Sequence, residues 1–562
     1  MRPQTRRTDD PRMTEIIERN TTTANRGTRV DAVNVTRRVG AKQILQKLSL
    51  SVEPGELVAI AGGSGAGKST LLEILAGLQP PTMGEVRRSE SRVGFVPQDD
   101  IIHMEMPLRR TLRYAARLRL PAGTSAAEAD RVVDETMGYL DLADRADVPV
   151  RSLSGGQRKR ASIAVELLTR PHLFFLDEPT SGLDPSTAAD VMALLRRLSQ
   201  RGVTVVLTTH EPTDIDRCDR VVFLARDGYL AFTGSPNEAR RYFSARNLAE
   251  VYTRLAGENT PQIWAQRFES GAPPAPATVV PAAALDTQRT NAFRQWWLLT
   301  RRNVDVLLRN RLTLAVLLGS PVLVTAMMAT LFRRGAFDTS SAADVGPAQV
   351  VFWIAFAGFF FGLTYGLLQI VGEMAVFRRE RLAGLSVGAY VAAKAAALLP
   401  VLALVSAVLL GVLRAMGRLP SVGWDVYGLL FGTVMVEAAS ALALGLLASA
   451  AVTNAAQAAL ALPMLCFPQV LFGGAIVPVN EISAPGRWMS TVLSNRHAFE
   501  ALGRDLDLDR YTVTLPAMSA YRETFHGGTA ASLIALASFA VVLTLATVWV
   551  LDRRSAPGAT RR

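Results

Sequence analysis

A glycine-rich segment between a strand pattern and a helix pattern is the feature that most constrains how this chain folds. It reads GGSGAGKST and consists of Gly62, Gly63, Ser64, Gly65, Ala66, Gly67, Lys68, Ser69 and Thr70. The apolar residues 57–61 predict a buried strand before it, and residues 70–78 predict a helix after it. Glycine allows the tight backbone path that points successive amide N–H groups at phosphate oxygens. The segment therefore predicts a phosphate-binding loop in an α/β domain with a mostly parallel sheet.

The side chains at the end of this loop indicate which phosphate compound binds there. Lys68 supplies a positive charge suited to β- and γ-phosphates, and the Ser69 hydroxyl is a suitable Mg²⁺ ligand. The helix that begins here directs the positive end of its dipole toward the same anion. We therefore predict a site for a nucleoside triphosphate together with Mg²⁺.

Four further polar residues are candidates for hydrolysis of that nucleotide. Asp177 ends an apolar strand pattern, where a carboxylate can hold Mg²⁺, and Glu178 beside it is the candidate general base. His210 follows another strand pattern and is predicted to hydrogen-bond the γ-phosphate. Gln98 lies in a predicted loop, from which it would reach both the Mg²⁺ ion and the attacking water.

A second anion-binding motif opens a predicted helix. Ser154, Gly155, Gly156 and Gln157 combine a hydroxyl, backbone N–H groups and a helix N-terminus. One polypeptide cannot easily direct both this motif and the glycine-rich loop at one phosphate, whereas two copies facing head to tail can. The two motifs together predict a nucleotide held between two copies, with Lys68 from one and Ser154 from the other.

The C-terminal half contains long apolar runs with almost no charge, which predict membrane spans. Six predicted spans lie near residues 312–332, 348–371, 391–413, 426–449, 455–476 and 529–551. The fifth contains Pro463 and Pro468 and is predicted to kink or to lead into a re-entrant segment. The predicted domains are a disordered tail at 1–28, a nucleotide-binding domain at 29–245, a linker at 246–288, an amphipathic connecting helix at 289–311, the six-span domain at 312–552 and a cytoplasmic tail at 553–562.

The net charge of +12 indicates an anionic partner. Arginines concentrate just before the first apolar run and just after the last, where they favour the inner face of a membrane with anionic headgroups. The sequence contains no recognisable nucleic-acid module, so we predict membrane lipid as a partner and no nucleic acid. The two cysteines, Cys218 and Cys466, lie in different halves, which indicates no disulfide framework and no metal site.

Together these motifs resemble the ATP-binding cassette (ABC) transporters, and the order of ATPase then membrane domain resembles the ABCG (White) subfamily and its bacterial relatives. The similar segments are VPQDD at 96–100, GGQRKR at 155–160, FRRE at 377–380 and SNRHAFEAL at 494–502. The resemblance implies an α/β P-loop NTPase domain with a helical subdomain, followed by an all-α six-helix transmembrane domain of the ABC-2 type. It also implies ATP and Mg²⁺ as cofactors and a place in the cytoplasmic membrane, with the ATPase domain in the cytoplasm.

The resemblance also identifies a loop that would pass motion from the ATPase to the spans. Residues 373–394 are similar to the coupling helix of the subfamily, and the candidate coupling residues are Phe377, Glu380, Gly384 and Tyr390. A surface loop that only carries positive charge is the alternative.

Polar residues inside the predicted spans are candidates for a substrate path. Glu437 lies in the middle of the fourth span, where a carboxylate costs at least ~2.5 kcal/mol. It either lines the path or hydrogen-bonds to a neighbouring helix. Thr364, Tyr365 and Gln369 in the second span are weaker candidates for the path.

The resemblance implies an ATP-hydrolysing half-transporter that pairs with a second copy of itself or with a related half-transporter. The leading hypothesis is export of a hydrophobic or amphipathic substrate, such as a lipid, a glycolipid or a drug-like compound. Export of a polysaccharide or a lipid-linked glycan is one alternative. A membrane-anchored signalling ATPase that moves no cargo is the other.

Overall fold

The computed structural model describes residues 28–88, 93–257, 261–270, 291–337 and 345–555. The chain separates into two compact units, the first ending at Thr287 and the second beginning at Gln288. Nearly all of the predicted N-terminal tail, the later part of the predicted linker and the last residues of the C-terminal tail lie outside the described residues.

The described strands all belong to the first unit and form two sheets. They are β1 Val30–Val39, β2 Lys42–Val52, β3 Leu57–Gly62, β4 Met83–Arg88, β5 Val93–Val96, β6 Leu173–Leu176, β7 Thr204–Thr208, β8 Arg220–Ala225 and β9 Tyr229–Gly234. The larger sheet has the order β5-β6-β7-β3-β8-β9, in which β5 to β8 run parallel and β9 is an antiparallel edge. This sheet confirms the predicted mostly parallel α/β core. The smaller sheet, β2-β1-β4, is antiparallel and was not predicted.

Some helices of the first unit cover the larger sheet, and others form a separate group beside it. The first unit contains α1 Lys68–Ala76, α2 Leu108–Arg119, α3 Ala126–Tyr139, α4 Gly155–Leu167, α5 Pro185–Gln200, α6 Pro212–Ile215, α7 Pro236–Tyr242, α8 Leu248–Gly257 and α9 Pro261–Glu269. Helices α2 to α4 lie between β5 and β6 in the sequence and pack through buried Leu112, Val133 and Ile163. They correspond to the implied helical subdomain.

Two of these helices fall within the predicted linker. In α9, Trp264 is buried and its ring lies 5.0 Å from that of Phe243 in the first unit. Because an aromatic side chain of this size contributes a large buried apolar area, α8 and α9 are part of the folded unit. The sequence analysis expected the residues at 246–270 to be linker, but those that form α8 and α9 belong to the folded unit.

The described part of the second unit is helical throughout. Its helices are α10 Ala292–Arg309, α11 Arg311–Leu331, α12 Gly346–Leu367, α13 Met374–Leu382, α14 Val387–Ala415, α15 Trp424–Ala451, α16 Ala455–Leu471, α17 Ala484–Thr491, α18 Ser494–Asp505, α19 Asp509–Thr514, α20 Arg522–Phe525 and α21 Ala530–Ser555. Four short helices, α17 to α20, lie between α16 and α21.

The apolar helices agree with the predicted spans except at the fifth position. Among the described residues, five helical segments are long and apolar enough to cross a membrane: Thr313–Leu331, Gly346–Leu382, Val387–Ala415, Trp424–Ala451 and Ala530–Ser555. The predicted span near 455–476 is the shorter α16, of 17 residues. At 1.5 Å per residue it is ~25 Å long, less than a hydrocarbon core of ~30 Å. Among the described residues, five of the six predicted spans thus correspond to long apolar helices, and the fifth, which was predicted to kink or to lead into a re-entrant segment, is the shorter apolar helix α16.

Glycines bring α12 and α15 into backbone contact. A Cβ atom at Gly362 would lie 2.2 Å from the carbonyl oxygen of Ala438, and one at Gly445 would lie 2.6 Å from that of Leu363. Only a residue without a side chain fits such an approach, as is common where membrane helices pack closely. This contact holds the middle of the second unit together.

Candidate functional site

The glycine-rich loop leaves β3 and enters α1, as predicted. Gly67 precedes the helix with φ of +89°, and a Cβ atom there would lie 2.8 Å from Cδ2 of Leu45. Both the positive φ and the lack of space require glycine at this position. Ser64, at the tip of the loop, is exposed. The loop thus presents its backbone to the surroundings in the form a phosphate group needs.

Lys68 begins α1 and is buried under the loop. Its ammonium donates to the carbonyl oxygens of Gly62 at 3.0 Å and Gly63 at 3.3 Å. Burial lowers the pKa of Lys68, and the nearby charges of Glu178 and Asp177 act in the opposite direction. A phosphate anion beside this ammonium would favour its charged form in the same way.

Ser69 and Asp177 meet from separate elements and form an oxygen pair suited to Mg²⁺. The Ser69 hydroxyl donates to Oδ1 of Asp177 at 3.0 Å, and Asp177 is buried. Mg²⁺ prefers oxygen ligands and usually completes its shell with water and phosphate oxygens rather than with a full set of protein ligands. In the part of the chain that the structure describes, no group of three or more His, Cys, Asp or Glu residues could hold a metal alone. The donors present therefore fit a Mg²⁺ ion shared with a nucleotide.

Two of the three candidate catalytic residues, Gln98 and His210, contact the carboxylate of the third, Glu178. Nε2 of Gln98 donates to Oε2 of Glu178 at 3.3 Å, and Nδ1 of His210 lies 3.4 Å from its Oε1. Glu178 has φ of +45°, a left-handed conformation that is strained for a residue with a side chain. Such strain is often found where the surrounding structure holds a functional side chain in position.

Thr208, at the end of β7, positions both acidic residues and was missed by the sequence analysis. Its hydroxyl donates to Oδ1 of Asp177 at 2.6 Å and accepts from the backbone N–H of Glu178 at 2.8 Å. The signal in the sequence is a hydroxyl residue at the carboxyl end of a buried strand, two positions before His210. It is weak without the knowledge that β6 and β7 are neighbours.

Replacing Thr208 by valine tests this positioning role. Thr208→Val keeps the shape but removes both hydrogen bonds, so the carboxylate of Asp177 and the backbone of Glu178 lose their common support. We expect kcat for ATP to fall by roughly 10- to 100-fold, because small misplacements of catalytic groups cost rates of that order. Steady-state ATPase assays of the full chain measure it. Thr208→Ser keeps the hydroxyl and should retain most activity; equal losses in the two variants would contradict the role.

The second anion-binding motif forms the start of α4. The Ser154 hydroxyl accepts from the backbone N–H of Gln157 at 3.3 Å, and the Gln157 side chain accepts from the Ser154 N–H at 3.1 Å. Gly156 is required by packing, since a Cβ atom there would lie 2.1 Å from Cγ2 of Thr187. Gly155 is half-buried and Ser154 exposed, so the N-terminus of α4 faces outward.

Lys159 connects α4 to the loop that contains Gln98. Its ammonium is buried, donates to the carbonyl oxygen of Gln98 at 2.8 Å and lies 3.4 Å from Oδ1 of Asp100. The Lys159 side chain therefore links the Gln98 loop directly to α4. The sequence analysis did not single out Lys159.

Comparison with known proteins identifies both units. Residues 45–181 match the family described as "ABC transporter", and residues 294–503 match "ABC-2 type transporter". "ABC transporter G family member 7" of Arabidopsis thaliana is 31% identical over 515 residues, which cover 82% of this chain and 70% of that protein. The chain belongs to the ABC transporter family. Its first unit is thus an ABC ATP-binding domain, and its second is the membrane domain of a multi-pass membrane protein whose ATP-binding domain lies in the cytoplasm.

Two other relatives of this ABC transporter differ in coverage. "ABC transporter ATP-binding/permease protein Rv1747" of Mycobacterium tuberculosis is 34% identical over 505 residues, covering 84% of this chain and 56% of that protein. The chain thus spans little more than half the length of the mycobacterial protein. "Broad substrate specificity ATP-binding cassette transporter ABCG2" of Bos taurus is 38% identical over 225 residues, 37% of this chain and 34% of that protein.

In the membrane unit of this ABC transporter, the rings of two candidate coupling residues pack against each other at a tilt. The rings of Phe377 on α13 and Tyr390 on α14 lie 4.7 Å apart, and both side chains are buried. Gly384 lies in the turn between these helices with φ of +91°. The loop is therefore a compact helical hairpin within the unit.

Glu380 on the same hairpin is paired with the amphipathic helix α10. The guanidinium of Arg302 donates to both carboxylate oxygens of Glu380, with Nη2 to Oε2 at 3.0 Å. Gln295, also on α10, donates to the carbonyl oxygen of Gly384 at 3.2 Å and accepts from the N–H of Ser386 at 2.8 Å. Because Arg302 is only 2% exposed, its positive charge is stabilised by the Glu380 carboxylate and not by water. The sequence analysis predicted α10 but not these contacts.

Three of the four candidate path residues lie on two packed helices, α12 and α15, and Gln369 follows the end of α12. Glu437 on α15 is fully buried, and its Oε1 accepts from the Ser494 hydroxyl at 2.9 Å. On α12, the Tyr365 hydroxyl donates to the carbonyl oxygen of Leu317 and Thr364 is half-buried. Gln369, just beyond the end of this helix, is half-buried as well. The bond to Ser494 is the contact expected if Glu437 binds a neighbouring helix. A role of these residues in a path stays a prediction.

Proposed function

We propose that the chain is an ATP-driven half-transporter that works as a homodimer and exports a hydrophobic or amphipathic molecule. The observation that carries this proposal is the convergence of Gln98 and His210 on Glu178, next to the Ser69 and Asp177 pair. These groups combine a general base, groups that orient water and phosphate, and ligands for Mg²⁺. The same chain continues into a membrane domain, so the energy of hydrolysis has a membrane unit on which to act.

The chemistry follows from the places of the side chains. The loop amides and Lys68 bind the β- and γ-phosphates, and Ser69 and Asp177 hold Mg²⁺, which when bound neutralises phosphate charge. Glu178 accepts the proton of the attacking water. Gln98 and His210 lie on the two oxygens of that carboxylate, from where they orient the water and the γ-phosphate.

The dimer is proposed because the N-terminus of α4 is exposed while its side-chain groups are already organised by the Ser154–Gln157 cap. A γ-phosphate held by the loop of one copy would meet Ser154 of the second copy. ATP then binds the associated state more tightly than the separated state, and hydrolysis removes that difference. A related half-transporter in place of the second copy would use the same groups.

The proposed cargo class is supported by the membrane unit and by the relatives. The bovine relative is described by its name as a transporter of broad substrate specificity. Many large apolar side chains of the membrane unit are exposed, including Leu460, Met464 and Phe467 on α16. A lipid, a glycolipid or a drug-like compound is compatible with such surfaces, whereas a long polysaccharide needs a polar channel.

Flux into sealed vesicles tests the proposal. We expect ATP to drive fluorescent lipids or lipophilic dyes into inside-out vesicles containing the purified chain, and the same compounds to stimulate ATPase activity. Vesicles with Glu178→Gln should show no ATP-dependent uptake. Hydrolysis without uptake of any lipid, dye or glycan would contradict transport and favour a signalling ATPase. Uptake of lipid-linked glycan alone would contradict the cargo class.

A further inference from the structure

A cavity of about 390 Å³ opens on the side of the membrane unit between α15, α18 and α21. Its lining includes Gly428, Gly432, Thr433, Asp505, Leu533 and Ile534. Its volume lies within the range of ~300–1,000 Å³ that is typical of small-molecule sites. None of the four candidate path residues lines it, so it is separate from the predicted path.

Two glycines keep this cavity open. A Cβ atom at Gly428 or at Gly432 would meet no other atom within 4 Å, whereas one at Gly362 would lie 2.2 Å from a neighbouring carbonyl oxygen. Gly428 and Gly432 are one turn apart on the same face of α15. Close packing therefore explains Gly362 but not these two glycines. Their effect is to remove side chains from the wall of the cavity.

A carboxyl group lies at one end of this mostly apolar space. Asp505, at the end of α18, is half-buried, and its Oδ2 accepts from the Thr433 hydroxyl at 3.0 Å. Burial raises the pKa of Asp505, and the Thr433 hydrogen bond acts in the opposite direction. Within the described ranges no Lys, Arg or His forms an ion pair with it. A ligand with a cationic donor would supply the partner that the protein does not.

The cavity faces the outer half of the membrane. Helices α11, α12 and α14 precede α15, so α15 begins at the face opposite the cytoplasm. The lining residues lie in the first half of α15 and near the start of α21. Leu429 and Ile534 at its walls are exposed to the surroundings of the unit, which for two spanning helices are lipid chains. Molecules enter it from the outer leaflet.

We propose that this cavity binds an outer-leaflet phospholipid with a primary ammonium headgroup, whose hydrocarbon chain fills the space beside Gly428 and Gly432 and whose ammonium donates to Asp505. The apolar walls match the chain, and the carboxylate matches the charge of the headgroup. The position between two spans excludes ligands that do not come from the bilayer. This site does not depend on the identity of the exported cargo.

Photolabelling in nanodiscs tests the proposal. The probe is phosphatidylethanolamine with a photoreactive acyl chain, and the control probe is the matching phosphatidylcholine. We expect peptide mapping to find label on residues 428–436 and 533–537, with the phosphatidylethanolamine probe preferred. Gly432→Leu fills the cavity and should lower labelling there by about tenfold. Asp505→Asn should lower the preference between the two probes by about tenfold, as for loss of one hydrogen bond to a charged group.

Gly411→Leu is the matched control for the glycine variant. Gly411 on α14 is also in a span, and a Cβ atom there also meets no atom within 4 Å, but it does not line the cavity. Labelling should be unchanged in this variant. Equal labelling of Gly432→Leu and the parent chain, or an equal loss in Gly411→Leu, would overturn the proposal. If Gly432→Leu does not fold, an unchanged probe preference in Asp505→Asn overturns it.

Discussion

Glu178→Gln is expected to lower ATP turnover of the full chain by at least about 100-fold while ATP binding persists. General-base catalysis contributes ~10²- to 10⁴-fold, and glutamine keeps the size of the side chain but cannot take up the proton of the attacking water. The amide of Gln98 and the imidazole of His210 remain next to it. We expect the variant to accumulate as an ATP-bound dimer, measured by nucleotide retention and by size in detergent.

A neighbouring acidic residue provides the control for this experiment. Oε1 of Glu211 lies 3.6 Å from Nε2 of His210, on the other side of the ring from Glu178, and the Glu211 side chain is half exposed. Glu211→Gln should therefore keep most of the turnover. Lys68→Ala should lose ATP binding itself. If Glu178→Gln hydrolyses ATP at the parental rate, the general base is another group.

Glu380→Ala is expected to give the largest loss of stability among single substitutions in the membrane unit. It leaves the guanidinium of Arg302 buried without its carboxylate, and breaking a buried ion pair in this way costs ~3–5 kcal/mol. The contact between α10 and the hairpin of α13 and α14 would weaken first. A lowered melting temperature of the full chain in detergent, and faster proteolysis at residues 383–386, are the measurements.

The control for Glu380→Ala is an exposed ion pair made by the next residue of α13. Arg381, the next residue, pairs with Asp552 at 2.7 Å, but this pair is largely exposed. Asp552→Ala should therefore cost only ~0–1 kcal/mol. Replacing Glu380 and Arg302 together by methionine should restore much of the stability, because neither charge of this pair is then left buried without its partner. Equal effects of Glu380→Ala and Asp552→Ala would show that burial does not decide the strength of the pair.

Much of the ATP-binding domain was predictable because its signals are local. The buried strand, the glycine-rich loop and the helix of α1 follow one another directly in the sequence, so their chemistry is readable without a structure. The apolar pattern that ends at Asp177 predicted a strand, and β6 lies directly before that residue. The antiparallel sheet of β1, β2 and β4 was not predicted; its β1–β4 pairing joins strands that are far apart in the sequence, whereas β1 and β2 are consecutive.

The missing site residues were those whose roles depend on distant neighbours. Thr208 and Asp177 are 31 positions apart, and Lys159 and Gln98 are 61 apart. A hydroxyl or an ammonium has no distinctive local pattern, so only the folded chain reveals its partner. The same holds for Arg302, which was visible as one of several arginines on an amphipathic helix.

By itself the sequence determined which segments are suited to bind phosphate, which are apolar enough to cross a membrane and in what order they occur, because short motifs and long apolar runs follow from backbone geometry and transfer free energy. Only the tertiary structure decided how side chains from separate segments pair. It placed Thr208 under the two acids and buried Arg302 against Glu380. It also left Gly428 and Gly432 facing open space while Gly362 meets a carbonyl oxygen. A glycine has the same local pattern in either case, and whether it packs or leaves a cavity depends on which helix lies opposite.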